Sequence, residues 1–172
     1  LAVIFSEVPA AAAGIFTTNK VQAAPVVLSK RHLQKGTAQA IIANSGNANA
    51  CVGEKGLQAA ETMAQSLAAM LKIPVESVLV ASTGVIGVQL PVEKIQTGLE
   101  HNNDFLAING GLAAAKAIMT TDTFSKEAAV EFELDGIAVK IGGMAKGSGM
   151  IHPKMATMLG FITSDIAISR EL

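Results

Sequence analysis

The stretch AQAIIANSGNAN, residues 38–49, largely determines the predicted architecture of this chain. Its first half is apolar and predicts a buried β-strand, whereas its second half consists of turn-forming residues too polar and too small for a core. Apolar residues at three- and four-residue steps then predict a helix over residues 54–72, which Pro74 ends. A second buried strand, SVLVA at residues 77–81, follows. We therefore predict a mixed α/β fold.

The flanking segments continue the alternation of strands and helices. The sequence EFELDGIAVKI, residues 131–141, predicts a β-hairpin because two alternating runs flank an Asp-Gly turn. Further predicted elements are strands over residues 1–5, 13–16 and 157–164, helices over residues 91–99 and 104–119, and an irregular Gly- and Met-rich loop over residues 142–153.

Composition excludes several classes of function. The 172 residues carry 13 basic and 14 acidic side chains and only 3% aromatics, so neither a nucleic-acid-binding surface nor a membrane-interface belt is predicted. A single Cys indicates a reducing compartment, and we expect a cytoplasmic protein. The chain opens without Met and stops in mid-pattern, so we expect it to be a piece of a longer protein.

Three polar, glycine-bearing loops at predicted strand ends are candidate sites. Residues 44–49 offer Asn amides to a ligand, or form a turn that satisfies its own backbone, which the residue types favour. Thr83 and Gly84 follow a buried strand, where N–H groups can face an oxyanion, although a plain turn is the commoner structure. Lys146, in the third loop, provides a charge for a carboxylate or is simply a solvated side chain, the more frequent case.

Other chemistry finds little support in the residues. One Cys and three widely spaced His give no metal-ligand spacing, so no metal is predicted. No Gly-x-Ser-x-Gly motif is present, and the glycine spacing does not make a phosphate-binding loop. His152 is a general base only by residue type, and Pro153 beside it favours a turn. For Asp122 the residue types favour a helix N-cap.

Six stretches, taken together and in order, resemble the ornithine acetyltransferase family, whose members are also called glutamate N-acetyltransferases. They span nearly the whole chain, and one alone would be weak. They are GIFTTNK (14–20), APV (24–26), NSGNANAC (44–51), STGVIG (82–87), MTTDT (119–123) and HPKMATML (152–159).

The resemblance implies a precursor that cuts itself between Ala156 and Thr157. Residues 1–156 are then the first, alpha segment, and residues 157–172 are the beginning of the second, beta segment. Thr157 becomes the N-terminal residue and the nucleophile. Its freed α-amine, with an ordinary pKa of ~7.7–8.0, can take the hydroxyl proton.

The resemblance also assigns the other loops. It implies that Thr83 and Gly84 form the oxyanion hole, and that Lys146 and Thr123 contact the substrate, with Thr121 the second choice for the threonine. It implies a layered α/β/β/α sandwich. It further implies association of the two segments in a heterodimer and then a heterotetramer.

The reaction implied is acetyl transfer from N²-acetylornithine to Thr157 and then to glutamate, with neither a metal nor an organic cofactor. Bifunctional members also accept acetyl-CoA as the donor. The alternative is a self-processing amidohydrolase or aminopeptidase with an N-terminal nucleophile. It would use the same residues but pass the acyl group to water. In the family the second segment supplies further substrate contacts, which lie outside this sequence.

Overall fold

The elements of the chain follow the predicted α/β alternation. The structure, a computed structural model, describes residues 1–101, 106–147 and 158–169. Within them the strands are β1 (Ala2–Ala11), β2 (Thr37–Asn47), β3 (Val78–Val85), β4 (Lys126–Leu134), β5 (Ile137–Lys146) and β6 (Leu159–Ser164). The helices are α1 (Ala24–His32), α2 (Glu54–Leu71), α3 (Val92–Glu100) and α4 (Gly111–Ala117), with 3₁₀ turns at Leu33–Lys35 and Val75–Ser77.

The first sheet has the order β1-β2-β3 and contains the stretch that opens the analysis. β1 runs antiparallel to β2, and β2 runs parallel to β3, so α2 is the crossover between two parallel strands. Ile42 and Val80 are paired neighbours on its helix-facing side. They pack against Leu28 of α1 and Leu67 of α2 in the main hydrophobic core.

The second sheet is an antiparallel meander of β4, β5 and β6. The β4–β5 turn at Asp135 and Gly136 has positive φ at both residues, which matches the right-handed twist of a tight hairpin. β5 and β6 form six residue pairs, from Ile141 with Ser164 to Lys146 with Leu159. The start of β6 therefore lies beside the end of β5.

A smaller core joins the two sheets. Ala2 and Ala43 of the first sheet are buried with Ile118, and Met144 and Phe161 of the second sheet pack against them. The small alanines let the sheets approach closely. The described residues thus form three successive layers: the helices α1 and α2, the first sheet and the second sheet.

The other side of the second sheet is apolar and exposed, and we call it the outer face. The β4–β5–β6 register places its residues on one side of the sheet, because side chains alternate along each strand. Its exposed members are Val130 (58%), Phe132 (42%), Leu134 (46%), Ile137 (68%) and Ile162 (79%). A layer against this surface would complete the predicted α/β/β/α order.

Several predicted elements are confirmed and others are wrong. The strand–helix–strand unit and the hairpin are present, but residues 13–16 are not a strand, and residues 142–146 belong to β5 instead of a loop. β1 instead continues through Pro9, where its pairing with β2 is interrupted between Phe5 and Ala10. Pro, which cannot donate to a ladder, is tolerated at such an edge.

The helices differ from prediction in two places. Helix α1 was not predicted from the sequence; it follows directly after Ala23 and has Pro25 in its first turn. The helix predicted over residues 104–119 is the shorter α4, which begins at Gly111; residues 102–105 lie outside the described residues. Gly110 and Gly111 have low helix propensity, which explains the later start.

Candidate active site

The ends of β2 and β3 approach each other too closely for any side chain at Gly84. Gly84 pairs with Gly46 and has a φ of +134°, which favours glycine. A Cβ at Gly84 would lie 2.2 Å from the carbonyl carbon of Gly46. Thr83, which is buried, and Gly84, which is exposed, both lie within β3, so the plain turn favoured from sequence is wrong.

The Asn-rich segment braces these strand ends. Asn47 Nδ2 donates to the carbonyls of Val88 and Gln89 at 3.1 and 3.2 Å, and Asn47 Oδ1 accepts the Asn49 N–H at 2.8 Å. Asn49 Nδ2 donates to the Gly56 carbonyl at 2.8 Å. Most of these amide contacts reach backbone outside residues 44–49, and β2 continues as far as Asn47, so the segment is not the self-contained turn that the residue types favoured.

Lys146 connects the two sheets. It is the last residue of β5 and only 5% exposed, so it is not the solvated side chain that its residue type favoured. Its ammonium donates to Thr120 Oγ1 at 2.7 Å and to Thr83 Oγ1 at 3.2 Å. The structure thus brings together two of the residues, Lys146 and Thr83, that the resemblance assigned to the site.

Asp122 lies beside this contact and has no helix-capping role. It follows α4 in an irregular segment, and its side chain is completely buried. Its carboxylate accepts hydrogen bonds from Lys126 Nζ at 2.6 Å, the Gly147 N–H at 2.9 Å and the Thr120 N–H at 3.3 Å. The Lys146 ammonium lies 3.9 Å from its Oδ2.

These contacts determine the charge state of Asp122. Burial by itself would raise the pKa of this carboxyl. The hydrogen bond from Lys126, the N–H groups of Gly147 and Thr120, and the positive charge of Lys126 outweigh burial and hold the pKa well below its usual range. Asp122 is therefore a carboxylate at neutral pH, and it balances positive charge at the centre of the site.

The described chain on either side of residues 148–157 comes together next to this site. Thr157, Ala156 and His152 lie outside the described residues. The residues on either side of this interval, Gly147 and Met158, are neighbours: a Cβ at Gly147 would lie 3.6 Å from Met158 Cγ. In the sequence Met158 directly follows Thr157.

The remaining assigned residue and two unexpected ones complete the site. Thr123 is exposed and adjoins Asp122 in the chain. Thr120 and Lys126, the partners of Lys146 and Asp122, were missed by the sequence analysis. The four-residue spacing from Asp122 to Lys126 was visible in the sequence, but nothing there singled out Thr120.

In residues 1–101, 106–147 and 158–169, no group of three or more His, Cys, Asp or Glu side chains is placed to hold a metal ion. The helices of the same residues are all too short or too polar to cross a membrane.

Comparisons with known proteins agree with one another. The model of the ArgJ family matches residues 1–172. The chain is 57% identical over its full length to the arginine biosynthesis bifunctional protein ArgJ of Thermosynechococcus vestitus, and 55% identical over 98% of its length to that of Symbiobacterium thermophilum. It covers 41% and 42% of these two proteins, so it spans about two fifths of their length.

Two solved structures are similar throughout most of the chain. The ArgJ crystal structure from Bacillus halodurans has a TM-score of 0.82 and 43% identity, and the alignment covers 91% of this chain and 81% of that one. The ornithine acetyltransferase of Mycobacterium tuberculosis, solved with ornithine, has a TM-score of 0.75 and 37% identity, with 91% and 82% covered. The mixed α/β fold predicted from sequence is confirmed.

Proposed function

Because the chain belongs to the ArgJ family, we propose that its protein is a self-cleaving acetyltransferase that carries an acetyl group from N²-acetylornithine to glutamate. The names of its relatives support a role in arginine biosynthesis, and one solved relative is an ornithine acetyltransferase with ornithine bound. Glutamate, acetylornithine and the site roles below are part of the proposal, since the chain covers only two fifths of the curated relatives.

One observation carries the assignment of the site. Thr83 and Lys146 belong to different sheets, yet they are in hydrogen-bond contact where Gly147 and Met158 meet. The chain there leads directly to Thr157. A nucleophile, two oxyanion donors and a fixed cation are the groups that acyl transfer needs, and these residues supply that set.

The reaction proceeds in two balanced halves. Thr157 Oγ attacks the acetyl carbon of acetylornithine, and its proton passes to the α-amine of the same residue. The C–N bond then breaks, and the departing ornithine amine takes the proton. In the second half the glutamate amine attacks the acetyl ester, gives up a proton, and releases Thr157 Oγ with a hydrogen restored.

Thr83 and Gly84 stabilise the negative oxygen formed in each half. Gly84 is exposed, and its N–H is the first donor in this proposal. The Thr83 hydroxyl is the second donor. Lys146 has three N–H groups, of which Thr83 and Thr120 take two, so a third can meet a substrate carboxylate or amide. Thr123, exposed beside Asp122, provides a further substrate contact.

Self-cleavage uses the same oxygen. Thr157 Oγ attacks the Ala156 carbonyl, the peptide nitrogen leaves as the new α-amine, and water hydrolyses the resulting ester. Chain lengths support this step: the chain covers about four fifths of the two solved chains but only two fifths of the curated relatives. Solved chains of this size are what a precursor cut into two pieces would give.

The outer face of the second sheet supports a partner for residues 1–156. Five large apolar side chains are exposed there on one surface, and a large exposed apolar patch commonly marks an interaction site. Ile162 lies in the first residues of the beta segment, so the remainder of that segment is the proposed occupant, and the two segments form a heterodimer that associates into a heterotetramer in the cytoplasm. Neither a metal nor an organic cofactor takes part, and acetyl-CoA is a second acetyl donor.

The test is intact mass spectrometry of the full-length protein, wild type beside Thr157→Ala. We expect two fragments divided before Thr157 in the wild type and one uncut chain in the variant. A matched control is Thr163→Ala, which replaces an exposed threonine on β6. This variant should still be cut before Thr157. An uncut wild type, or a cut Thr157→Ala, would contradict the proposal.

A second measurement identifies the acceptor of the acetyl group. Wild-type protein incubated with N²-acetylornithine and glutamate should give ornithine and N-acetylglutamate in equal amounts. Release of free acetate without N-acetylglutamate would instead establish the hydrolase.

A further inference from the structure

Asp122 is a buried carboxylate to which the proposed chemistry gives no part. Its side chain is completely enclosed, whereas ionised carboxylates are seldom buried unless their partners compensate the loss of water. It has one cation on each oxygen, Lys126 at Oδ1 and Lys146 near Oδ2. The free-energy cost of burying this charge indicates that Asp122 has a structural or a functional role.

The two lysines around Asp122 differ in their freedom to move. The Lys126 side chain is 34% exposed and can reach water, but the Lys146 side chain is 5% exposed. Without the negative charge, two ammonium groups would lie near each other and Lys146 would have no water to compensate it. Asp122 also accepts the Gly147 N–H, so it fixes both the charge and the backbone at the end of β5.

Fixing Lys146 determines how the Thr83 hydroxyl is oriented. An ammonium has donors and no acceptor, so in the 3.2 Å contact the Thr83 oxygen must accept. The hydroxyl hydrogen then points away from Lys146 and is available to another acceptor. A hydroxyl that accepts from a cation is also polarised and becomes a stronger donor.

We propose that Asp122 is a positioning residue for acyl transfer: its carboxylate holds Lys146 against Thr83, so that the Thr83 hydroxyl presents its hydrogen to the oxyanion. The inference rests on the proposed function. Asp122 itself touches no reacting atom and acts through Lys146, while the hydroxyl of Thr120 accepts a hydrogen bond from the same ammonium.

A double-mutant cycle on the full-length protein tests this coupling. Asp122→Asn keeps the size of the side chain and removes its charge, and Thr83→Val keeps the shape and removes the hydroxyl. Each single change should lower kcat by about 10²-fold, which is typical for loss of an oxyanion donor. In the Thr83→Val background, Asp122→Asn should lower kcat less than about 3-fold, because both changes remove the same donor.

Additivity would overturn the inference. If Asp122→Asn lowers kcat by the same factor with and without the Thr83 hydroxyl, Asp122 acts independently of that hydroxyl, and an accompanying rise in KM in both backgrounds would indicate a role in substrate binding. Should Asp122→Asn fail to fold, Thr120→Val replaces it, since Thr120 is exposed and holds Lys146 directly. The same loss of effect in the Thr83→Val background is then expected, and its absence overturns the inference.

Two controls separate this inference from the proposed function. Glu131→Gln removes an exposed carboxylate that pairs with Lys140 at 3.5 Å on the same sheet and should leave kcat unchanged. Wild-type protein should gain the mass of one acetyl group on Thr157 when given acetylornithine alone. If it does not, the proposed function fails; if it does and the cycle is additive, only the role of Asp122 fails.

Discussion

The two sheets of this molecule are covered to different extents. The first has helices α1 and α2 on one face and the second sheet against part of the other, and its strands β2 and β3 carry fully buried residues such as Ile42 and Val78. The second uses one face to meet the first sheet and presents the apolar outer face to solvent. The first sheet thus builds its own core, whereas the second depends on something the described residues do not supply.

The candidate site lies where these unequal sheets meet. Thr83 and Gly84 come from the self-sufficient sheet, and Lys146 comes from the dependent one. Because the site contains residues of both sheets, its geometry depends on how well the second sheet is ordered. The following predictions, for the full-length protein unless stated otherwise, test how far the two sheets differ.

The largest expected effect is a loss of stability when a glycine of the first sheet is replaced, and a glycine of the second sheet provides the comparison. Gly84→Ala should destabilise the protein by about 4 kcal/mol, because it adds strain at positive φ to a clash with the Gly46 backbone. Activity should be lost as well. Gly142→Ala on β5, where a Cβ would meet only Thr163 Oγ1 at 3.9 Å, should change stability by less than about 1 kcal/mol. Urea unfolding measures both, and equal losses would contradict the prediction.

The next effect compares apolar residues of the two regions. Leu67→Ala, in the core over the first sheet, should cost about 3 kcal/mol because it leaves a cavity. Val130→Ala, on the outer face and 58% exposed, should cost less than about 1 kcal/mol in the isolated chain of residues 1–172. Thermal unfolding measures both. A larger loss of stability from Val130→Ala in the full-length protein would show that the beta segment buries Val130, and an equally small loss would argue against such burial.

A smaller effect depends on pH. Asp122→Asn should lower stability by roughly 2 kcal/mol at pH 7, since hydrogen bonds to a charged group are lost. The pKa of Asp122 is lower in the folded protein than in the unfolded chain. Its contribution is therefore fully present above the unfolded pKa of ~3.9 and is lost as the pH falls below that value.

The corresponding measurement is urea unfolding of wild type and Asp122→Asn from pH 7 down to about pH 3, with Glu131→Gln as the exposed control. The difference in the free energy of unfolding between wild type and Asp122→Asn should be constant near pH 7 and should become smaller toward pH 3. A difference that widens on acidification would contradict the assigned charge state.

A substitution on the outer face should change the free energy of unfolding least, but it should change self-association of the chain measurably. Phe132→Lys should reduce self-association of the isolated chain of residues 1–172, because it places a charge within the apolar surface. Ala138→Lys adds the same charge to the opposite face of the sheet and should have no such effect. Sedimentation velocity distinguishes these outcomes, and equal behaviour of the two variants would count against the outer face as a docking surface.

The parts of this fold that were predictable are those where one local signal dominates. The helical period of α2, the apolar runs of β2 and β3 and the alternation of the hairpin around its Asp-Gly turn are each visible within a short stretch of sequence. The N-terminal region was harder: α1 is short and its apolar pattern weak, and Pro9 suggested a break where β1 continues. Local pattern could not show that pairing with β2 carries the strand past Pro9.

The site was predictable as a set of motifs but not as a geometry. Thr83, Gly84 and Lys146 were identified by resemblance, whereas composition alone favoured turns and solvated loops for all three. The ion pair of Asp122 with Lys126 and the contact of Thr120 with Lys146 depend on how the second sheet lies against the first. Such long-range placement leaves no periodic signal in a single sequence.

The ladder between β5 and β6 gives the proposed cut a thermodynamic meaning. A break before Thr157 would assign β5 to one chain and β6 to the other, while their six residue pairs continue to hold the two together. Before the cut, β5 and β6 belong to one chain, and their pairing does not depend on protein concentration. After the cut they belong to separate molecules, and dilution weakens their pairing. Folding must then come before cutting, and protein unfolded after cutting should recover poorly and more slowly as it is diluted. The uncut Thr157→Ala chain should instead refold at a rate that dilution does not change.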